Sequence, residues 1–572
     1  MPPPAVTPTR RQSAFALACS LLAVALVAGC RGEQQNGTST AANADGGTMI
    51  IAAGADARDL LPVLSADETG RLVSDQIFDH LADIGDNLST VGDRGFTPRL
   101  AKSWQWSADS LSIAFSLDPR ARWHDGQPVR ANDVVFTLKL YKNPATASPI
   151  ASLLTNVDSI TARDSLTAVA WFAHHTPEQF YDLAYQMAVM PAHVYDSIPP
   201  AQLRTSAPAR QPVGSGRFRL ARWDAGARLE LLSDTANYHG RAKLDRVVVA
   251  MTQDPQAAST QVLTGQADFY EAFPVTKAAT LDSSKVARGQ PFTQMAYAFL
   301  GMNLSARKGH APHPLFGSAA VRRALSMAVD RRAMLQNVFG KYGQLGHGPF
   351  PMTVLSADSG LTLPPYDTTA AKALLDSAGW RAPTPGAVRV KNGQPLRFGL
   401  LVPSSSAGRM RYAVLLQDQL RKLGAQADLE PVDFGVMLQH QTDGDFDAIL
   451  AGNNVDPSIT GVAQQWGTSG IGSNGQNILH YSNRTVDALL DSAARAFDPD
   501  RSRDYARRAY QQIANDAPAI WLYDVTLLTA INKRFQAAPL RADAWWTHLA
   551  DWSIPADKRI DRDRVGLAPT AR

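Results

Sequence analysis

The sequence predicts an α/β protein assembled from more than one part, with mixed sheets covered by helices. Three observations carry that reading. Residues 396–450 alternate short apolar runs of strand length with stretches whose apolar residues recur every three or four positions, a β-α-β-α-β succession. The chain has 572 residues, 45% hydrophobic and 19% charged, a globular composition at a length too great for one ordinary core. Both cysteines, Cys19 and Cys30, lie near the start, so everything after them folds without disulfides, thiolate-bound zinc, iron–sulfur clusters or a cysteine nucleophile. The charge balance of 56 basic and 52 acidic residues leaves +4 and contains no Lys/Arg run, which excludes a nucleic-acid partner.

The first element is a targeting segment. Arg10 and Arg11 precede an uncharged apolar stretch over residues 14–28, shorter than the ~20 residues a membrane span needs. It closes Leu26-Val27-Ala28-Gly29-Cys30, which resembles the lipobox of bacterial lipoproteins. That resemblance implies cleavage before Cys30 and a diacylglycerol on its thiol, with residues 1–29 as the signal peptide. Gln12-Ser13-Ala14 lacks the hydrophobic pair of twin-arginine export, which favours the Sec route. Residues 30–47 are small, polar and aperiodic, a flexible tether.

In the body, residues 48–53 form a short apolar strand. Leu72, Val73, Ile77, Leu81 and Ile84 predict an amphipathic helix over 68–83. Leu111, Ile113, Phe115 and Leu117 alternate as a half-buried strand. Asp125-Gly126 marks a tight turn, Asn132 is placed to cap a helix reaching Tyr141, and 158–172 reads as a hairpin. The Pro-rich stretch 199–212 predicts a surface crossing. Helices follow at 318–339 and 369–377, the latter stopped by Gly379. Within the βαβ rhythm come strands 396–402, 427–431 and 446–450 and helices 410–423 and 434–441; helices 484–497 and 501–515 and a strand over 519–525 complete the series.

Catalytic signatures are absent. There is no Walker loop, no strand-borne G-x-G-x-x-G, no G-x-S-x-G, no HExxH and no EF-hand loop. His310-Ala311-Pro312-His313 reads as a surface feature, because its prolines block the helix a metal pair would need. His124 and Asp125 are adjacent and would point to opposite faces of a strand, so they belong to a turn beside a packed Trp123.

Ten phrases in register carry a family resemblance. They are Phe78-Asp79-His80-Leu81, Pro98 to Trp104, Trp123 to Gly126 with Asp133 to Thr137, and Pro191 to Val194. Next come Pro212 to Phe218, Asn237 to Gly240 with Leu244 to Arg246, and Gly265 to Phe269. Val321 to Arg331, Ala373 to Trp380 and Gly444 to Ala448 close the series. Together they resemble the extracellular solute-binding protein family 5, the peptide, dipeptide and nickel group of ABC-transporter receptors. Two phrases depart slightly: Gly-Ser-Gly-Arg-Phe stands where Gly-Thr-Gly-Pro-Tyr is usual, and Gly-Gln-Ala-Asp where Gly-Glu-Ile-Asp is commoner.

The resemblance implies a two-lobed periplasmic-binding-protein-like fold with an extra inserted domain and a hinge near 297–303 and 520–524. Lobe I would comprise 48–90, 200–292 and 520–572, inserted domain II 91–199, and lobe III 293–519. It also implies a ligand aspartate ahead of an Asp-Pro, gripping a peptide's α-ammonium. In Gly452-Asn453-Asn454-Val455-Asp456-Pro457 that position is Asn453, which cannot neutralise a buried ammonium, so Asp456 or Asn454 takes over or the solute is of another kind. Trp466, Tyr297 and Ser65 join the candidate ligand-binding residues; no catalytic residue, cofactor or metal is expected, and Trp104, Trp123 and Trp380 are expected to pack.

The expected function is a lipid-anchored, monomeric receptor on the periplasmic side of a bacterial membrane. It would deliver a small solute, a peptide first, to ABC permease subunits with their ATPases. Alternatives are an oligosaccharide receptor, a receptor signalling to a sensor, and a cell-surface hydrolase of peptides or glycans whose catalytic groups meet only in the fold.

Overall fold

At the centre of an eleven-stranded sheet two long strands, Ala287–Met302 and Ala519–Asn532, run antiparallel side by side. This computed structural model describes residues 46–354, 356–472 and 475–563; the signal segment, Cys30 and most of the tether lie outside them. At about 3.3 Å per residue, the longer strand spans roughly 50 Å, enough to serve two cores. One end of the pair joins, through Phe269–Tyr270, the strands Thr48–Ala53, Arg246–Met251, Arg228–Ser233 and Phe218–Asp224. The other end carries Ala448–Asn454, then Arg397–Pro403 and Gln426–Val432. The ladder between the long strands is irregular between Thr293 and Tyr297, where the first half passes into the second.

Period-two alternation explains the cores of the second half. Ala298 and Leu300 point into one hydrophobic cluster with Leu416 and Trp380, while Tyr297 and Phe299 point into another with Trp466 and Tyr510. In the chain between Ala53 and Phe218 sits a separate four-stranded antiparallel sheet, Ala101–Trp106, Ser112–Leu117, Thr167–Phe172 and Val157–Ala162 in spatial order. It shares one continuous core with the first half, in which Phe115 and Phe180 join Met49, Val247 and Trp552. No helix among the described residues is long and apolar enough to cross a membrane.

Several expectations need correction. The first helix is Glu68–Ile77 and stops short of residue 83. Its last carbonyl, Ile77, is taken by the Gly216 N–H at 2.7 Å, and a Cβ on Gly214 would lie 2.0 Å from that same oxygen, so the backbone that crosses there ends the helix. The helix Ala131–Lys142 is capped by Asp133, whose carboxylate accepts the Arg130 N–H at 2.8 Å, and not by Asn132. Residues 318–339 are two helices, Ala319–Met327 and Arg331–Phe339, because Asp330 turns its side chain to cap the second. The stretch 199–212 holds short helical turns with Leu203 and Ala209 buried, so it is more than a surface crossing. His313 is buried, stacks on Phe316 and accepts the Phe316 N–H, whereas its neighbour His310 is exposed. The last strand runs seven residues past Val525, because its far end pairs with the first half.

Candidate ligand-binding site

A cavity of about 630 Å³ opens between the halves, bounded by the helix Glu68–Ile77, the insert, the long strand Ala287–Met302, the loop after Ala448–Asn454 and the C-terminal Trp545-Trp546. The floor is set by register. Ala296 pairs with Asn454 and both line the cavity; the next pair, Tyr297 and Asn453, points to the opposite face of the sheet.

Of the residues singled out from sequence, Ser65, Asn454 and Asp456 line this cavity. Ser65 is buried and donates its hydroxyl to the Asp59 carbonyl at 3.0 Å. Asp456 accepts the Ser458 N–H at 2.8 Å, an Asx turn that leads through Pro457 into the helix Ile459–Trp466 and aims its carboxyl at the cavity. Asn453, Tyr297 and Trp466 are gathered elsewhere. The buried Tyr297 hydroxyl receives the Trp466 Nε1–H at 2.9 Å and the Asn453 Nδ2–H at 3.0 Å, and donates to Gln465 Oε1 at 3.2 Å. Asn453 also borders a second, larger cavity of about 810 Å³, but that one is lined by the second half alone, so movement of the halves cannot enclose it.

The cleft is lined by more carboxyls than cations: Glu68, Asp75, Glu271, Asp456 and Asp543 beside Arg71. Asp75 and Asp543 are already engaged, the first by Trp546 Nε1–H at 2.8 Å and the second by Arg541 and Tyr185. Glu271 accepts a long hydrogen bond from Gln294 at 3.4 Å, and burial first, then the Glu68 carboxyl beside it, push it up to about 9, well above any ordinary carboxylate, against the hydrogen bonds of Trp545 and Gln294. Burial, then Glu178 and Asp456, push Asp182 up to about 8. Crowding by protein lifts Asp456 above the usual range as well; the Ser458 N–H opposes this and Glu178 adds to it. Among the described residues, the main causes of the three shifts are burial, neighbouring carboxyls and hydrogen bonds, and Arg71 lies on the cavity wall. Aromatic faces of Tyr141, Tyr181 and Trp545 complete the lining.

Sequence reasoning missed Glu271, Asp182 and Trp545. The Trp545-Trp546 doublet was the one visible signal; Glu271 reaches the cavity wall, and Asp182 comes near Asp456, only through the fold.

The sequence profile of the Bacterial extracellular solute-binding proteins, family 5 Middle, matches residues 95–473. The chain belongs to the family 5 solute-binding proteins. Family 5 is a family of extracellular binding proteins, and the acidic cleft of this member lies between its two halves. The oligopeptide-binding protein AppA of Bacillus subtilis (strain 168) is 23% identical over 525 residues, covering 90% of this chain and 94% of that protein. The crystal structure of the Listeria monocytogenes ABC transporter substrate binding protein CtaP matches with a TM-score of 0.76 at 20% identity, over 89% of this chain and 100% of that one. The Bacillus subtilis AppA structure, in complex with a nonapeptide, matches with a TM-score of 0.70 at 22% identity, over 89% and 99%. These structural likenesses establish the two-lobed fold.

Proposed function

We propose that this family 5 protein is the receptor of an ABC importer and that it carries peptides, seated in the cavity between the halves with a cationic group at Asp456. One observation carries this reading. Among the described residues, the Asp456 carboxyl faces a 630 Å³ cavity with only the Ser458 N–H as hydrogen-bond partner and no cation shifting its protonation. A carboxyl so placed gains most from a ligand that brings its own positive charge, as a peptide's α-ammonium does. The names of similar proteins, oligopeptide-binding among them, favour the same solute class. The protein binds and releases without chemistry, acts as a monomer, and hands its solute to permease subunits driven by their own ATPases. In this reading lobe I comprises 48–90, 200–292 and 520–572, with 91–199 inserted in it, and lobe III comprises 293–519.

Cys30 carries the membrane anchor in this proposal. Two acyl chains hold firmly where one gives marginal binding. Cys30→Ala should move the protein from the membrane pellet to the soluble fraction, and unchanged pelleting would refute the anchor. The solute is tested by mass spectrometry of small molecules released from the purified protein on denaturation, followed by calorimetric titration of what is found. Recovery of peptides supports the proposal; a neutral sugar or a solute that is turned over on incubation would overturn it.

A further inference from the structure

The insert and the second half touch at the edge of the cavity through one acidic side chain. Glu178, which precedes the helix Gln179–Ala184 of the insert, is 9% exposed. Its Oε2 accepts the hydroxyl of Ser458 at 2.5 Å and that of Thr460 at 3.2 Å, both from the second half. Its Oε1 accepts the Thr90 hydroxyl at 2.5 Å. Ser458 in turn caps the helix Ile459–Trp466 and takes the Thr460 N–H, and it follows directly on Asp456 and Pro457, which line the cavity. A second contact joins the same two parts: the rings of His175 and Phe497 lie 4.1 Å apart. The basic side chain beside this contact, Arg503, is engaged by Asp500 on its own helix.

We infer that Glu178 is a positioning residue for ligand capture, a clasp that holds the Asp456 loop against the insert and so couples closure of the cleft to placement of the ligand-facing carboxyl. The inference rests on the receptor reading for its purpose, while its geometry is made by the chain's own side chains. Hydrogen bonds from hydroxyls to a carboxylate are stronger than neutral ones, and here three converge on one buried group. A surface hydrogen bond of no consequence would have neither the burial nor the shared acceptor. The location is also informative. The contact holds the loop that turns from the cavity wall into a helix, so releasing it frees Asp456 and opens the edge of the cleft together.

The decisive experiment needs no ligand, so a failure of the peptide reading leaves it intact. Full-length protein without added solute is studied by peptide-level hydrogen exchange and small-angle scattering. Glu178→Ala should speed exchange roughly tenfold in residues 86–92 and 456–467 and enlarge the radius of gyration, as expected when a local closing contact is lost. Exchange in the strands Ser112–Leu117 and Thr167–Phe172 should stay as in the wild type. The double variant Ser458→Ala/Thr460→Val, made on the opposite side, should reproduce both changes. Glu178→Gln, which keeps acceptor oxygen but not charge, should fall between. Wild-type exchange and radius in the double variant would overturn the clasp. So would a Glu178→Ala effect that spreads through the insert's strands, because Glu178 would then serve only the insert's own fold.

Discussion

Two groups of polar side chains lie on opposite faces of the same strand ladder and have opposite fates. Around Tyr297, the donors of Asn453 and Trp466 and the acceptor of Gln465 satisfy one another inside a hydrophobic cluster. Across the sheet, Asp456 and Glu271 line the cleft and, with Asp182 near Asp456, hold their protons past the ordinary range. The first group is complete and stabilises the fold. The second is held more sparsely, and in the proposed receptor a cationic ligand would complete it. A polar residue in a receptor core therefore says little by its type; what matters is whether its partners are already present.

This contrast can be broken by substitution. Trp466→Ala should cost about 3–5 kcal/mol of stability, since it removes a buried indole and leaves the Tyr297 hydroxyl with one donor fewer. Denaturant unfolding measures the loss, and a change below 1 kcal/mol would mean the cluster is not structural. Asp456→Asn should weaken a cationic peptide about tenfold to a hundredfold, the range of a charge-assisted hydrogen bond, with unfolding unchanged. Calorimetric titration reads it, and equal affinities would remove Asp456 from the site.

The third prediction concerns pH. Glu271 lies at about 9 in the folded chain against an ordinary 4.5, so the folded state binds a proton that the unfolded chain has released. Stability should therefore fall as pH rises from about 4.5 to about 9. Glu271→Gln, which stays neutral throughout, should flatten that fall in a thermal-melt series; an unchanged slope would show that another group sets it. The smallest effect belongs to Asn453→Ala, about 1 kcal/mol of stability for a lost amide hydrogen bond, with peptide affinity as in the wild type. A loss of affinity larger than that of Asp456→Asn would reverse the assignment of the two faces.

Much of the fold was legible because periodicity and capping are local. The start of the first helix at residue 68 and the stop at Gly379 are helix ends that the structure keeps. The breaks at Phe78 and Asp330 were not legible, since the first depends on glycines more than a hundred residues away and the second on a cap that competes with helix continuation. Within the site, alternation along one strand decides between Asn453 and Asn454, and a one-residue uncertainty in where that strand begins reverses the answer. Glu271, brought beside Glu68 by tertiary structure, left no sequence trace at all.

The two long central strands have a mechanical consequence. Because both halves hang on the same backbone ladders, parting them changes the twist of shared strands, and the ladder is already irregular at Thr293–Tyr297. Such a joint works as a spring with a preferred angle. Its rest position is written in main-chain hydrogen bonds, which are the same whatever solute sits in the cleft. In the proposed receptor, a permease docking on the shut form would therefore meet one outline whatever the solute's side chains.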